Sequence, residues 1–128
     1  MRLLLDAHTA LWWLGGDRRL SRRACQTIED AAAERFLSVA AGWEMAIKSA
    51  LGRLKLPLPV GRFLQEHLPR NHIELLAIGI GDLTVVETLP FHHRDPFDRL
   101  MAAQALERGL AVVSADPIFE KYGIERIW

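Results

Sequence analysis

Several features are scarce in this chain of 128 residues. Cysteine occurs once, as Cys25, so no intramolecular disulfide can form, and a reducing cytosol is the expected compartment. No apolar run approaches the roughly 20 residues of a membrane span, and the single arginine before the first apolar run is too little for a secretory signal. The formal net charge is zero, whereas constitutive nucleic-acid binders usually carry a basic surplus. We therefore expect a cytoplasmic protein with no membrane partner.

The signatures of several enzyme classes are also missing. The sequence has no glycine-rich phosphate loop, no nucleophile elbow and no cysteine–histidine dyad. His92 and His93 are adjacent and therefore poorly placed to bind one ion, and no third ligand nearby completes a zinc site, so a surface loop is expected there. The chain has no repeat, low-complexity segment or linker. We predict one domain over residues 1–128.

The chain instead alternates short apolar runs with helical patterns. The predicted strands are 3–5, 36–39, 73–78, 110–113 and a short fifth at 124–127, and the predicted helices are 7–14, 22–34, 41–51, 63–68 and 96–107. Residues 83–89 could form a helix or a strand, and their position in the pattern favours a helix. Strands that alternate with helices imply crossover connections and parallel pairing. The predicted fold class is α/β, with a central, mostly parallel, twisted sheet of four to five short strands and helices on both faces.

Four carboxylates stand at apolar boundaries, where a charge is costly to desolvate unless a positive group meets it. Asp6 and Asp116 follow predicted strands, and ligands of parallel sheets bind at that end of the strands. Asp98 and Glu44 interrupt the apolar faces of predicted helices. Together, the four side chains predict an acidic pocket at one edge of the sheet. Oxygen ligands of this kind select Mg²⁺ or Mn²⁺, which suits the hydrolysis of phosphodiesters.

Each of these acids also has a purely local explanation. Asp6 and Asp116 suit the N-cap position of a following helix, and Asp98 would complement the dipole of a first turn. Glu44 lies in mid-helix, so its partner is either Lys48 one turn later or a bound cation. Asp95, which stands directly before a proline, is interpreted as a cap only.

Four segments in order resemble the PIN-domain family, and most closely its VapC-type ribonuclease toxins from type II toxin–antitoxin pairs. The segments are LLLDAHTALWWL at 3–14, SVAAGWEMAIK at 38–48, RDPFDRLMAAQA at 94–105 and SADPIF at 114–119. The resemblance covers essentially the full length. One departure is Ala7, because the family often has threonine or serine directly after the first aspartate, and here Thr9 stands further on.

The resemblance implies a metal-dependent endoribonuclease that acts as a toxin. It makes the four acids the catalytic and metal-binding residues, with Asp6 and Asp98 the first choices for direct coordination and Glu44 and Asp116 in roles left open. It further implies an RNA substrate, a Mg²⁺ or Mn²⁺ cofactor and a homodimer. A cognate antitoxin would join the toxin in a hetero-oligomer, and the antitoxin's carboxy-terminal segment would block the acidic pocket.

Three alternatives remain open at this point. A phosphatase of the haloacid-dehalogenase type also begins with an aspartate after its first strand, but that chemistry needs another aspartate where this chain has His8. A receiver-like signalling domain would carry an aspartate after a central strand, whereas the third predicted strand here runs into glycines. A PIN fold that serves only as a protein scaffold would retain the architecture without the chemistry.

Overall fold

A parallel sheet of five strands forms the centre of the protein, of which a computed structural model describes residues 1–128. The spatial order is β3-β2-β1-β4-β5, and every neighbouring pair is parallel. The strands are β1 (Arg2–Leu5), β2 (Glu34–Ser38), β3 (Ile73–Leu76), β4 (Ala111–Val113) and β5 (Arg126–Ile127). The predicted α/β fold class is therefore confirmed, and the sheet is parallel throughout.

The central strands are buried on both faces. Leu3, Leu4 and Leu5 of β1 are at most 1% exposed, and Val112 and Val113 of β4 are fully buried. Strands covered on both sides do not alternate apolar with polar residues, so these two segments read as unbroken apolar runs in the sequence. Helices must therefore cover both faces of the sheet.

Six α-helices connect the strands. One 3-10 helix, Pro117–Tyr122, lies between β4 and β5. The α-helices are α1 (Ala7–Gly15), α2 (Arg22–Glu29), α3 (Val39–Ala50), α4 (Val60–Arg70), α5 (Ile80–Thr88) and α6 (Pro96–Arg108). None of them combines the length and the apolar composition that a bilayer crossing would need.

Several predicted boundaries were wrong: α5, for example, begins at Ile80 rather than at residue 83, and β3 ends at Leu76 rather than at residue 78. Two other differences have a visible local cause. The second helix ends at Glu29 because the Asp30 carboxylate accepts a hydrogen bond from the Ala32 N–H at 2.8 Å and forms a turn that competes with the helix. The fourth helix begins earlier than predicted and includes Pro69 in its last turn. There the Asn71 side-chain amide donates to the His67 carbonyl at 2.8 Å and supports the helix end beyond the proline.

A buried ion pair joins α5 to α6. The Asp82 side chain is 1% exposed, and its carboxylate accepts hydrogen bonds from the Arg108 guanidinium and the Gly79 N–H. Burial acts to raise the pKa of Asp82, but these hydrogen bonds outweigh it and hold the pKa below its usual value. The pair fixes α6, which carries Asp98, against the rest of the fold.

Candidate metal centre

The order of the strands reverses between β1 and β4, so the chain leaves these neighbours in opposite directions along the sheet. Ligands of open parallel sheets bind at such a switch point, beyond the carboxyl ends of the strands. Asp6 directly follows β1, and its backbone N–H donates to the Val113 carbonyl of β4 at 3.3 Å. Asp116 follows the end of β4. Both predicted strand-end acids therefore lie at the switch point.

Asp6 is both a helix cap and an open oxygen donor. Its Oδ1 accepts a hydrogen bond from the Thr9 N–H at 2.7 Å, which caps α1. No hydrogen bond in the structure reaches Oδ2, and the residue is half-buried. The capping interpretation is correct, yet it uses only one of the two carboxylate oxygens. Thr9 itself is buried, and its hydroxyl has no hydrogen-bond partner.

Glu44 is paired with Lys48, which was one of its two predicted partners, the other being a bound cation. The Lys48 Nζ lies 2.8 Å from Oε2, and the Glu44 side chain is only 14% exposed. The other oxygen, Oε1, has no protein partner. The ion pair therefore orients the glutamate side chain and occupies only one of its two carboxylate oxygens.

Asp98 lies at the centre of the acidic group. Its side chain is 25% exposed, and its pKa is raised to about 7, first by burial and then by the charge of Asp95, with further contributions from Glu44 and Asp6. His93 acts in the opposite direction. The charges of Glu44 and Asp6, from separate parts of the chain, therefore act on Asp98. The ligand atoms of His93, Asp98 and Asp116 all lie within 4.8 Å of one another.

Asp95 caps α6 as predicted. Its Oδ1 accepts from the Phe97 N–H at 2.8 Å and from the Asp98 N–H at 3.2 Å. The capping assignment is therefore correct, although, as in Asp6, it uses only one carboxylate oxygen, and the charge of Asp95 also raises the pKa of Asp98.

Asp116 is more exposed than Glu44 and Asp98, with 45% of its side chain accessible. Its Oδ1 caps the 3-10 helix by accepting from the Ile118 N–H at 2.9 Å. Its Oδ2 lies 3.4 Å from His93 Nε2. Ser114 is fully buried, and its hydroxyl oxygen accepts from the Asp116 N–H at 3.1 Å.

His93 is the residue that sequence reasoning missed. Its Nε2 lies 3.1 Å from Asp98 Oδ2 as well as close to Asp116, so it joins two acids of the site. The residue is half-buried, whereas an unremarkable surface loop was expected. The available signal was its position five residues before Asp98, on the loop that leads into α6. Its contact with Asp116 depends on the fold alone.

The donor set suits a hard divalent cation. Asp6 Oδ2, Glu44 Oε1 and Asp98 Oδ1 are carboxylate oxygens without a protein partner, and each belongs to a side chain whose other oxygen is already held. Carboxylates fixed through one oxygen can present the other in a set direction. Such a set favours Mg²⁺ or Mn²⁺ over softer metals.

Comparison with known proteins decides the family. The family model for the PIN domain matches residues 3–125 of the chain. The chain belongs to the PIN domain family. It is also similar to Ribonuclease VapC22 of Mycobacterium tuberculosis, with 34% identity over 116 residues, which cover 89% of this chain and 86% of the relative. The PIN-domain resemblance found in the sequence is thus confirmed.

Solved structures agree with the PIN fold. The structure of VapBC2 from Rickettsia felis, bound to a DNA fragment from their promoter, matches with a TM-score of 0.71 at 12% identity and covers 100% of both chains. DNA-bound VapBC from Salmonella typhimurium matches with a TM-score of 0.68 at 17% identity and covers 98% of this chain and 96% of that chain. At such low identity, these matches establish the PIN fold alone.

Proposed function

We propose that the protein is a divalent-metal-dependent endoribonuclease that hydrolyses RNA phosphodiester bonds as the toxin of a type II toxin–antitoxin pair. The observation that carries this proposal is that Asp6, Glu44 and Asp98 each keep one carboxylate oxygen without a protein partner, while the charges of Asp6 and Glu44 both raise the pKa of Asp98. It is supported by the similarity to a ribonuclease of the same family. We assign the whole of residues 1–128 to one nuclease domain, since a single buried core includes residues from Leu3 to Ile127.

Each acid has a distinct place in the proposed site. Asp6 and Asp98 would hold the ion directly, because each offers a free oxygen on a half-buried side chain. Glu44 would contribute Oε1, while Lys48 keeps the side chain oriented. Asp116 already uses both oxygens, so we assign it to shaping the site and orienting the attacking water. A bound divalent cation supplies Lewis-acid chemistry, which activates water for attack and neutralises charge on the leaving ribose oxygen.

A cleft beside α1 supports an RNA substrate. It has a volume of about 530 Å³, and one of the residues that line it is His8, two residues after Asp6. Arg53 and Lys55 line it and are exposed, and Trp12 offers an aromatic face in the same wall. Cations contact phosphates and aromatic rings stack on bases, so this local patch offsets the absence of a basic surplus in the chain as a whole.

The proposed partners follow from the relatives. Two of the matched structures are VapBC complexes bound to DNA, and we propose that this chain likewise pairs with a cognate antitoxin in a hetero-oligomer. The predicted homodimer and the cytoplasmic location belong to the same proposal. Light scattering of the purified chain, alone and with the product of the neighbouring gene, measures both assemblies.

The direct test of the activity is cleavage of a labelled RNA by the purified protein with Mg²⁺ or Mn²⁺. We expect Asp6→Asn and Asp98→Asn to lose detectable cleavage while they keep the wild-type circular dichroism spectrum. The matched control is Asp30→Asn, which removes a carboxylate from an exposed turn after α2 and should cleave at the wild-type rate. Wild-type cleavage by purified Asp6→Asn protein would refute the proposal.

A separate titration distinguishes the nuclease from a scaffold that retains only the fold. Mn²⁺ should raise the melting temperature of the wild-type protein, because a ligand that binds only the native state stabilises it. The rise should be absent in Asp98→Asn. A scaffold would show no shift that depends on these carboxylates.

A further inference from the structure

The loop that carries His93 is held in place by two buried or half-buried side chains. Arg99 is 7% exposed and has no acidic partner; its guanidinium donates instead to the Pro90 carbonyl at 2.9 Å and the Leu89 carbonyl at 3.1 Å, and reaches the His93 carbonyl at 3.5 Å. The Tyr122 hydroxyl accepts from the His93 N–H at 2.9 Å. The contacts of Arg99 fix the path of the loop.

The hydrogen bonds of the imidazole determine its tautomer. The Asp95 N–H donates to His93 Nδ1 at 3.0 Å. A backbone N–H can only donate, so Nδ1 must be the unprotonated nitrogen, and the ring proton lies on Nε2. This Nε2–H faces Asp98 Oδ2 at 3.1 Å and Asp116 Oδ2 at 3.4 Å. The ring is therefore a donor shared by two carboxylates.

A nitrogen that carries a proton cannot bind a metal ion, which separates His93 from the ligand set. Its donated hydrogen bond occupies Oδ2 of Asp98 and leaves Oδ1 without a protein partner. The same bond ties Asp98 to Asp116, whose Oδ1 is anchored by the Ile118 N–H. The ring thus links the start of α6 to the turn after β4.

We propose that His93 is a positioning residue of the metal site, which orients Asp98 Oδ1 towards a divalent cation by holding Oδ2 of Asp98 and of Asp116. This inference rests on the proposed metal site and extends it to a residue outside the acidic set. In other metal proteins, loss of a group that hydrogen-bonds a ligand lowers metal affinity by about 10- to 100-fold.

Two substitutions separate the functions of the two ring nitrogens. Glutamine places an amide N–H where Nε2 lies but offers nothing to the Asp95 N–H, whereas asparagine offers an acceptor near Nδ1 and does not reach the acids. We therefore expect His93→Gln to bind Mn²⁺ nearly as tightly as the wild type, and His93→Asn to bind about tenfold more weakly. His92→Ala is the control, because its ring packs on Tyr122 and contacts no acid of the site.

Isothermal titration calorimetry with Mn²⁺ alone provides the readout, and melting temperatures in EDTA show that each variant is folded. Equal affinity of His93→Asn and the wild type would overturn the proposal, as would weakening of His93→Gln to the level of His93→Asn, since His93 would then act as a ligand or as a loop anchor. A wild-type protein that does not bind Mn²⁺ would overturn it as well. Mn²⁺ binding with the expected order of affinities but no RNA cleavage would refute the proposed nuclease and leave the role of His93 standing.

Discussion

Replacement of Asp98 by asparagine should stabilise the metal-free protein above neutral pH. The pKa of Asp98 is raised from 3.8 to about 7, chiefly by burial and by the neighbouring acids. The carboxylate is therefore ionised at a cost in the folded state. Asparagine has nearly the same shape, carries no charge and can still accept the Nε2–H of His93 through its own oxygen.

The sign of the pH dependence follows from proton binding. The unfolded chain releases the Asp98 proton near pH 3.8, and the folded protein holds it until about pH 7. Between these values the folded state binds more protons, so the free energy of unfolding falls as the pH rises and levels off above the folded pKa. The free energy of unfolding of Asp98→Asn lacks this decline. Its excess over that of the wild type should therefore be absent near pH 4 and complete near pH 8.

The magnitude can be worked out from the shift. A rise of the pKa from 3.8 to about 7 corresponds to a loss of about 4 kcal/mol in the free energy of unfolding of the wild type if none of the charge is screened. Because the side chain is 25% exposed, solvent reduces the effect, and we expect about 2 kcal/mol. For 128 residues, with about 2.1 cal/mol/K of unfolding entropy per residue, this raises the melting temperature by about 7 °C.

Thermal melts of both proteins in EDTA, across this pH range, provide the assay. Asp30→Asn serves as the control and should follow the wild-type curve, because Asp30 lies in an exposed turn. If the difference in melting temperature between Asp98→Asn and the wild type were the same near pH 4 as near pH 8, the raised pKa assigned to the buried carboxylate would be refuted.

Three further substitutions test the support around the site. Arg108→Ala leaves the buried Asp82 carboxylate unpaired and should lower the free energy of unfolding by about 3 kcal/mol in urea titrations, and an unchanged midpoint would contradict the assigned ion pair. Leu4→Ala removes a side chain that is 1% exposed at the centre of the sheet and should cost about 3 kcal/mol in the same assay, whereas a loss typical of surface positions would show that the strand is not core. Arg99→Met should accelerate amide hydrogen exchange in residues 89–95, and unchanged protection there would show that the guanidinium does not hold the loop.

Much of the fold was predictable because its signals are local. Unbroken apolar runs marked the strands buried on both faces, and Gly109, in a left-handed conformation with a φ of 65°, follows the end of α6. Capping aspartates were also correctly placed at the starts of α1 and α6. Among the boundaries that failed, those at the ends of α2 and α4 depended on side-chain hydrogen bonds of Asp30 and Asn71 that compete with or extend a helix.

The acidic residues were visible in the sequence for a similar reason. Asp6 and Asp116 stand directly behind apolar runs, and in a parallel sheet those positions meet at one edge. A helical period placed Asp98 and Glu44 on inward faces, and both side chains are largely buried. The sequence could not show which oxygen of each carboxylate remains free, because that depends on the cap or cation that holds the other.

By itself, therefore, the sequence determined the α/β class, the order of the elements and the acids from which we propose a metal site, since each of these follows from neighbours within a few turns or one strand. Only the tertiary structure decided that His93 joins Asp98 to Asp116 and that Arg99 is buried as the anchor of a loop. The physical reason is that loops have no periodic pattern, and their side chains find partners through the packing of elements that are distant in the chain.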